Sequence, residues 1–341
     1  MAWFLGKPAA TSPSARVGVL LVNLGTPSAP TYWPIRRYLW SFLSDRRVVE
    51  ACPYYWYPLL LGPILTFRPH KTAKLYQSIW SASGSPLLVY SEQLTSGLAQ
   101  ALASDDIRVE LAMSYSDPSI TTAVAKLLGA GVEKLIVLPL YPQYSGSTSG
   151  AVFDQVMREL SRYRVVPSVH FAADYHDDPG FIDALADSVR RSFAQTGPTH
   201  LLCSYHGIPL KYVTKGDPYQ QQAQRTTQLL CERLGLSEGD YSISFQSRFG
   251  PTEWLKPYTD DHLADLLKRG ITHVTVLTPA FAVDCLETIE EIGTVSKELY
   301  LEAGGESFTL VPALNHSPEQ VNWMAAFIRR HAGHWLDRRD G

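Results

Sequence analysis

The feature that most constrains this chain is an alternation. Short runs of apolar and β-branched residues, each closed by Gly, Pro or a small polar residue, are separated by longer amphipathic stretches. Strands and crossover helices of a mainly parallel sheet are written this way, and continuous rather than every-other-residue apolar character suits strands covered on both faces. The pattern predicts strands at Val17–Asn23, Val109–Met113, Leu135–Leu140, Pro167–Phe171, Leu201–Tyr205, Ser242–Gln246, Val274–Thr278 and Phe308–Pro312. Helices are predicted at Thr121–Leu128, Phe181–Phe193, Gln220–Leu234, Asp260–Lys268, Leu286–Glu298 and Gln320–His331, with Gly or Pro near several of their ends.

Two stretches also echo each other. Gly131–Pro139 resembles Gly270–Thr278, each following a helix that ends Lys-Leu-Leu or Leu-Leu-Lys, and Val109–Pro118 resembles Ser242–Pro251, a strand running into a Pro-terminated loop. A duplicated α/β unit accounts for both, although any two buried parallel strands share some of this likeness. At 341 residues the chain exceeds the usual single domain. The expected organisation is an N-terminal extension over 1–15, an α/β lobe over 16–172, a second over 173–314, and a C-terminal helix and tail over 315–341 that can pack on either lobe.

Composition removes several classes of function. A net charge of −3 gives no electrostatic case for nucleic acid, and the short basic runs such as Arg36-Arg37 and Arg46-Arg47 read as solvated helix faces. The four cysteines lie far apart with no CxxC pair, so neither a zinc knuckle nor a disulfide framework is indicated and a reducing compartment fits. Met1–Ser14 has no basic start and no long apolar run, so nothing directs export and the expected location is cytoplasmic. The aromatic stretch Tyr54–Leu65 is interrupted by Pro58, Gly62 and Pro63 and falls short of the roughly 20 residues of a spanning helix. It reads as too punctuated for a regular helix: an apolar lip over a flat ligand, a membrane-surface contact, or plain packing.

In open α/β sheets ligands sit beyond the carboxyl ends of the strands, so chemistry is sought in the segments just past them. His206 stands directly past a strand, where a neutral imidazole binds a borderline metal ion or takes a proton near neutral pH; a histidine hydrogen-bonded into its loop is the plainer reading. Glu287 opens a helix, with Glu290 and Glu291 one turn on along the same general face. Asp284 and Glu287 also have capping-box spacing, and the two roles differ in where Glu287 points. The loop Tyr141–Gly150 mixes tyrosines, hydroxyls and glycines but lacks the lysine of a P-loop, and Asn23-Leu-Gly-Thr-Pro has one glycine where a dinucleotide fingerprint needs three, which disfavours a dehydrogenase.

Taken together, Val22-Asn-Leu-Gly-Thr-Pro27, Lys71-Thr-Ala-Lys-Leu-Tyr76 with Gly84-Ser-Pro86, Leu138-Pro-Leu-Tyr-Pro-Gln-Tyr-Ser145, Cys203-Ser-Tyr-His-Gly-Ile-Pro209, Gln246-Ser-Arg-Phe-Gly-Pro251 and Asp284-Cys-Leu-Glu-Thr288 resemble the ferrochelatases, bacterial type, over about residues 16 to 330. That resemblance implies two similar Rossmann-like lobes with mainly parallel sheets around a central porphyrin cleft, and a lyase that inserts ferrous iron into protoporphyrin IX at the end of heme biosynthesis. It implies His206 and Glu287 as catalytic and metal-binding residues, with Asp284, Glu290 and Glu291 as supporting carboxylates. It places Leu24, Tyr76, Tyr144 and Trp254 against the macrocycle and Arg68 near a propionate. The substrates are then protoporphyrin IX and Fe2+, with no nucleic acid, no tightly bound cofactor and a monomeric enzyme. Some ferrochelatases hold a [2Fe–2S] cluster through a cysteine in the Tyr-Ser-x-Ser-Thr loop and others in a C-terminal tail. Gly146 takes that loop position here and no cysteine follows Trp335, so no cluster is expected. A non-catalytic porphyrin or heme carrier, and a chelatase for another tetrapyrrole or metal, are the competing readings, since imidazole plus carboxylate does not select sharply among divalent ions.

Overall fold

Val17–Asn23 (β1) is buried at every residue because it has a parallel partner on each side. Ile107–Met113 (β2), Lys134–Pro139 (β3) and Ser168–Phe171 (β4) complete a four-stranded sheet of order β2-β1-β3-β4, seen in a computed structural model that describes residues 4–6 and 17–336. A second parallel sheet repeats that order as β6-β5-β7-β8, from His200–His206 (β5), Tyr241–Gln246 (β6), His273–Leu277 (β7) and Ser307–Leu310 (β8). All eight predicted strands are present, their ends displaced by at most three residues, and the shared order is what a duplicated α/β unit produces.

The helices between Tyr32 and Leu160 are Tyr32–Leu43 (α1), Pro53–Leu59 (α2), Leu65–Ile79 (α3), Pro86–Ala101 (α4), Ile120–Gly129 (α5) and Ser149–Leu160 (α6). Those that follow are Pro179–Thr196 (α7), Leu210–Thr214 (α8), Tyr219–Leu234 (α9), Thr259–Lys268 (α10), Lys297–Glu302 (α11) and Pro318–Leu336 (α12). Helix α5 lies so close to β1 that a Cβ on Gly18 would come within 2.9 Å of Val132 and 3.0 Å of Leu127, and this contact belongs to a core of Leu20, Val22, Val124, Leu127, Leu135 and Val137. The second sheet buries Leu202, Val274 and Val276 with Leu263, Leu266 and Ile292.

One sequence expectation is corrected, and two are refined. Tyr54–Leu65 is helical: α2 passes through a π segment, Leu60–Ile64, straight into α3. Pro53 occupies a first-turn position, where the missing N–H costs nothing, while Pro58 and Pro63 sit inside and shift the register rather than ending the helix. The stretch predicted as a helix over Leu286–Glu298 is a π-helix, Glu287–Ser296, continued by α11. The Tyr141–Gly150 loop is divided between the chain's two compact units. One takes in the chain up to Tyr141, Gly146–Asp174 and the chain from His316; the other is Pro142–Ser145 with Tyr175–Asn315. Residues 142–145 join the second because Gln143 Nε2 donates to Thr226 Oγ1 at 3.0 Å, the Tyr144 N–H to Gln222 Oε1 at 2.6 Å and Ser145 Oγ to Asp217 Oδ2 at 2.8 Å, all on α9 or its lead-in. Helix α12 belongs to the first unit, where it packs on α4. Most of the 1–15 extension and the end of the 315–341 tail lie outside the described residues.

Candidate active site

In the second unit the expected histidine stands at the carboxyl end of β5, beside the end of β6. Strand β5 is buried through Tyr205 and emerges at His206, which pairs in register with Gln246 at the end of β6. The chain then turns through Gly207, whose N–H donates to the Gln246 carbonyl at 2.8 Å. Glycine is needed here for close approach: a Cβ would lie 2.9 Å from that same carbonyl and 3.3 Å from Trp254 Cε3.

His206 Nδ1 lies 2.7 Å from the Gly207 carbonyl. A carbonyl only accepts, so Nδ1 carries the proton and the neutral imidazole keeps its lone pair on Nε2. Phe281 packs beside the ring, with centroids 6.4 Å apart.

Gln246 ties the imidazole's strand to the acidic helix. Its Oε1 accepts from Ser204 Oγ at 2.9 Å, and its Nε2 donates to the backbone carbonyl of Glu287 at 3.0 Å. Behind it Thr259 Oγ1 lies 2.9 Å from Ser204 Oγ and 3.0 Å from Ser244 Oγ, so the amide orientation is fixed by a buried set of hydroxyls. Just past Gln246, Ser247 adopts φ +67° and its hydroxyl donates to Glu291 Oε2.

Glu291 has its carboxyl pushed above the usual carboxylate range by burial first; the Ser247 hydrogen bond and the imidazole of His206 oppose that, and the Glu287 carboxylate adds to it. His206, Glu287 and Glu291 therefore share one electrostatic neighbourhood. In the π register, closed by bonds to the fifth residue, position i+4 lies over Glu287, whereas the expectation of one general face for Glu287, Glu290 and Glu291 assumed α geometry.

The capping box is not closed. The Asp284 N–H donates to Asn315 Oδ1 at 2.8 Å rather than to Glu287. Asp284 Oδ1 accepts from Thr288 Oγ1 at 2.8 Å and from the Ala313 N–H at 3.2 Å, and Oδ2 accepts from Asn315 Nδ2 at 2.7 Å. Cys285 is buried between them, and burial followed by the Glu287 carboxylate holds its thiol well above the ordinary range. Cys203 and Cys231 are buried as well.

The other expected residues are divided between the two units. Trp254 is held beside Gly207, its Nε1 donating to the Phe249 carbonyl at 2.8 Å and its backbone joined to Pro209 by an isolated antiparallel bridge. Tyr144 is half-buried in the same unit. Leu24, Arg68 and Tyr76 belong to the first unit: Leu24 just past β1, Arg68 half-buried on α3, and Tyr76 buried edge-on to Trp80 at 6.1 Å. Sequence reasoning assigned no role to Gln246, Ser247, Thr288 or Asn315, although position just past β6 was a signal for the first two.

Comparisons with known proteins bear on this arrangement. The ferrochelatase family model matches residues 16–332. A ferrochelatase of Hamiltonella defensa is 50% identical over 315 residues, 92% of this chain and 98% of that one. Ferrochelatase 1 of Shewanella oneidensis is 48% identical over 330 residues, 96% and 99% of the two chains. Among solved structures, SirB from Bacillus subtilis with Fe3+ aligns at TM-score 0.57 and 14% identity over 95% of this chain and 98% of its own, a likeness of fold.

Proposed function

The chain belongs to the ferrochelatase family and is a metal chelatase, and from that premise we propose how its residues divide the work of placing ferrous iron in protoporphyrin for heme synthesis. A free porphyrin carries two pyrrole N–H protons in a flat ring, and iron(II) enters as both protons leave. The observation that carries the assignment is the His206 Nδ1–Gly207 carbonyl bond of 2.7 Å, which leaves Nε2 as a lone pair held in place for a pyrrole proton or for iron. Glu287 is the carboxylate that meets the metal opposite the imidazole, with Glu291 as an acidic neighbour. Carboxylate and imidazole hold iron(II) loosely compared with four ring nitrogens, so transfer runs toward product. In the second unit Tyr144 and Trp254 take the role of packing on the macrocycle, and affinity spent on its bent form lowers the barrier.

The same reading includes a monomeric cytoplasmic enzyme with no resident iron–sulfur cluster. Gly146 in the hydroxyl-rich loop and buried Cys203, Cys231 and Cys285 support the last point. No helix among the described residues is long and apolar enough to cross a membrane. Tyr54 at 88% exposure, Tyr55 at 81% and Phe67 at 72% support a peripheral contact with a lipid surface. Anaerobic incubation of the protein with protoporphyrin IX and iron(II), followed by absorbance, tests the main proposal: metalation should outrun the protein-free control, and equal rates would overturn it.

A further inference from the structure

Asn315 is one of three non-glycine residues at positive φ among those described, at +53°. It lies 31 residues from Asp284 in sequence and grips it with two bonds in opposite directions: Nδ2 donates to Asp284 Oδ2 at 2.7 Å, and Oδ1 accepts from the Asp284 N–H at 2.8 Å. Its own N–H donates to the Ala282 carbonyl at 3.1 Å, so three bonds join it to the segment that leads into the π-helix. Asp284 passes the constraint on. Its Oδ1 takes the hydroxyl of Thr288, and Thr288 Oγ1 in turn accepts from the Cys285 N–H at 3.0 Å. Thr288 is fully buried and Asp284 nearly so. Glu287 is thereby bracketed: the residue after it and the residue three before it are locked together, and the latter is locked to Asn315.

Both oxygens of Asp284 are already engaged by three donors, which suits it to hold the loop rather than a metal. Only a residue that tolerates left-handed backbone and carries both an amide donor and a carbonyl acceptor can make this clasp, and asparagine meets each requirement.

We propose that Asn315 is a positioning residue for the reaction, clasping Asp284 so that Glu287 enters the π-helix at the place where it meets the metal. The proposal rests on the reading of Glu287 as the metal-facing carboxylate. Loss of the clasp should weaken the use of iron and spare the binding of porphyrin.

The test is steady-state kinetics with iron(II) and protoporphyrin IX varied separately. Asn315→Gly keeps the backbone conformation and removes the amide. It should raise KM for iron, or lower kcat/KM for iron, by about 10–100-fold, the range typical of groups that orient metal ligands, with KM for porphyrin near that of the parent. Asn315→Asp sets two carboxylates against each other, so its deficit should shrink as pH falls and one of the pair takes up a proton. The double exchange Asp284→Asn with Asn315→Asp restores one donor and one acceptor facing each other, and should regain most of the iron dependence; it keeps the test decisive if the glycine variant does not fold. A folded Asn315→Gly enzyme with parental iron kinetics, an equal rise in KM for both substrates, or no rescue in the double exchange overturns the proposal. Glu287→Gln separates the two levels. If it leaves KM for iron unchanged, the reading of Glu287 fails and the clasp falls with it; if it raises KM while Asn315→Gly does not, the clasp alone is wrong.

Discussion

At the carboxyl end of β1 the chain turns through Asn23 and Leu24, and at the equivalent place in the second sheet β5 turns through His206 and Gly207. Asn23 is buried and neutral: its Nδ2 donates to Ser91 Oγ at 3.1 Å and its Oδ1 accepts the Leu24 N–H at 2.8 Å. Nearby, Thr26 Oγ1 donates to Ser85 Oγ at 2.7 Å. His206, by contrast, spends one nitrogen on a backbone carbonyl and keeps the other, with the Glu291 carboxylate in its electrostatic range. The same strand order thus ends once in a closed neutral network and once in a group with a free lone pair. Fold alone does not make a site; the residues grafted at the strand ends do.

That contrast can be broken most severely at His206. His206→Ala should lower turnover by about 10²–10⁴-fold, the usual worth of a positioned acid–base group, while protoporphyrin binding measured by fluorescence titration stays near that of the parent. Parental turnover would remove the distinction between the two strand ends. Gly207→Ala probes the same end through packing. With a Cβ placed 2.9 Å from the Gln246 carbonyl, it should cost about 1–3 kcal/mol in urea unfolding and also lower activity, because the residue next to His206 must shift.

The neutral end should respond differently. Asn23→Ala should destabilise by about 1–3 kcal/mol, from the Leu24 N–H left unpaired and the donor lost to Ser91, whose hydroxyl keeps only its bond to the Leu87 carbonyl, with turnover of the folded fraction near parental. A selective loss of turnover without destabilisation would place chemistry at β1 as well. The smallest effect concerns Glu291. Its carboxyl is held above the usual range in the folded state, so its contribution to stability is fully present below the unfolded value and is lost as pH rises through the folded one. Glu291→Gln, which can still accept the Ser247 hydroxyl, should flatten this dependence, so the variant gains on the parent as pH rises. Thermal unfolding across the acid-to-neutral range checks the sign.

Much of the framework was legible because it rests on local apolar pattern. Every strand was found, and helices α5, α7, α9, α10 and α12 were located by their periodicity. Helices α2 and α3 were not, since three prolines within Tyr54–Pro69 read as breaks and only the π register between them shows how the chain absorbs two of them. The π register of Glu287–Ser296 was hidden in the same way, because the width of a helical turn is not written in the apolar spacing. For the site, strand-end position singled out His206, while the residues alone favoured Glu287 as part of a cap and only the family resemblance gave it to the metal; that the Asp284 N–H bonds to Asn315 instead was not legible. A partnership across 31 residues of chain leaves no mark that a single sequence reveals.

The central claim is that the imidazole of residue 206 and the carboxylate of residue 287 hold one divalent ion between them. Anaerobic titration of the porphyrin-free protein with cobalt(II), read by the ligand-field absorption of the bound ion, tests it most directly. The account predicts one site in the parent, weakened at least tenfold, or about 1.4 kcal/mol, in both His206→Ala and Glu287→Gln. Unchanged cobalt affinity and spectrum in the two variants would contradict it.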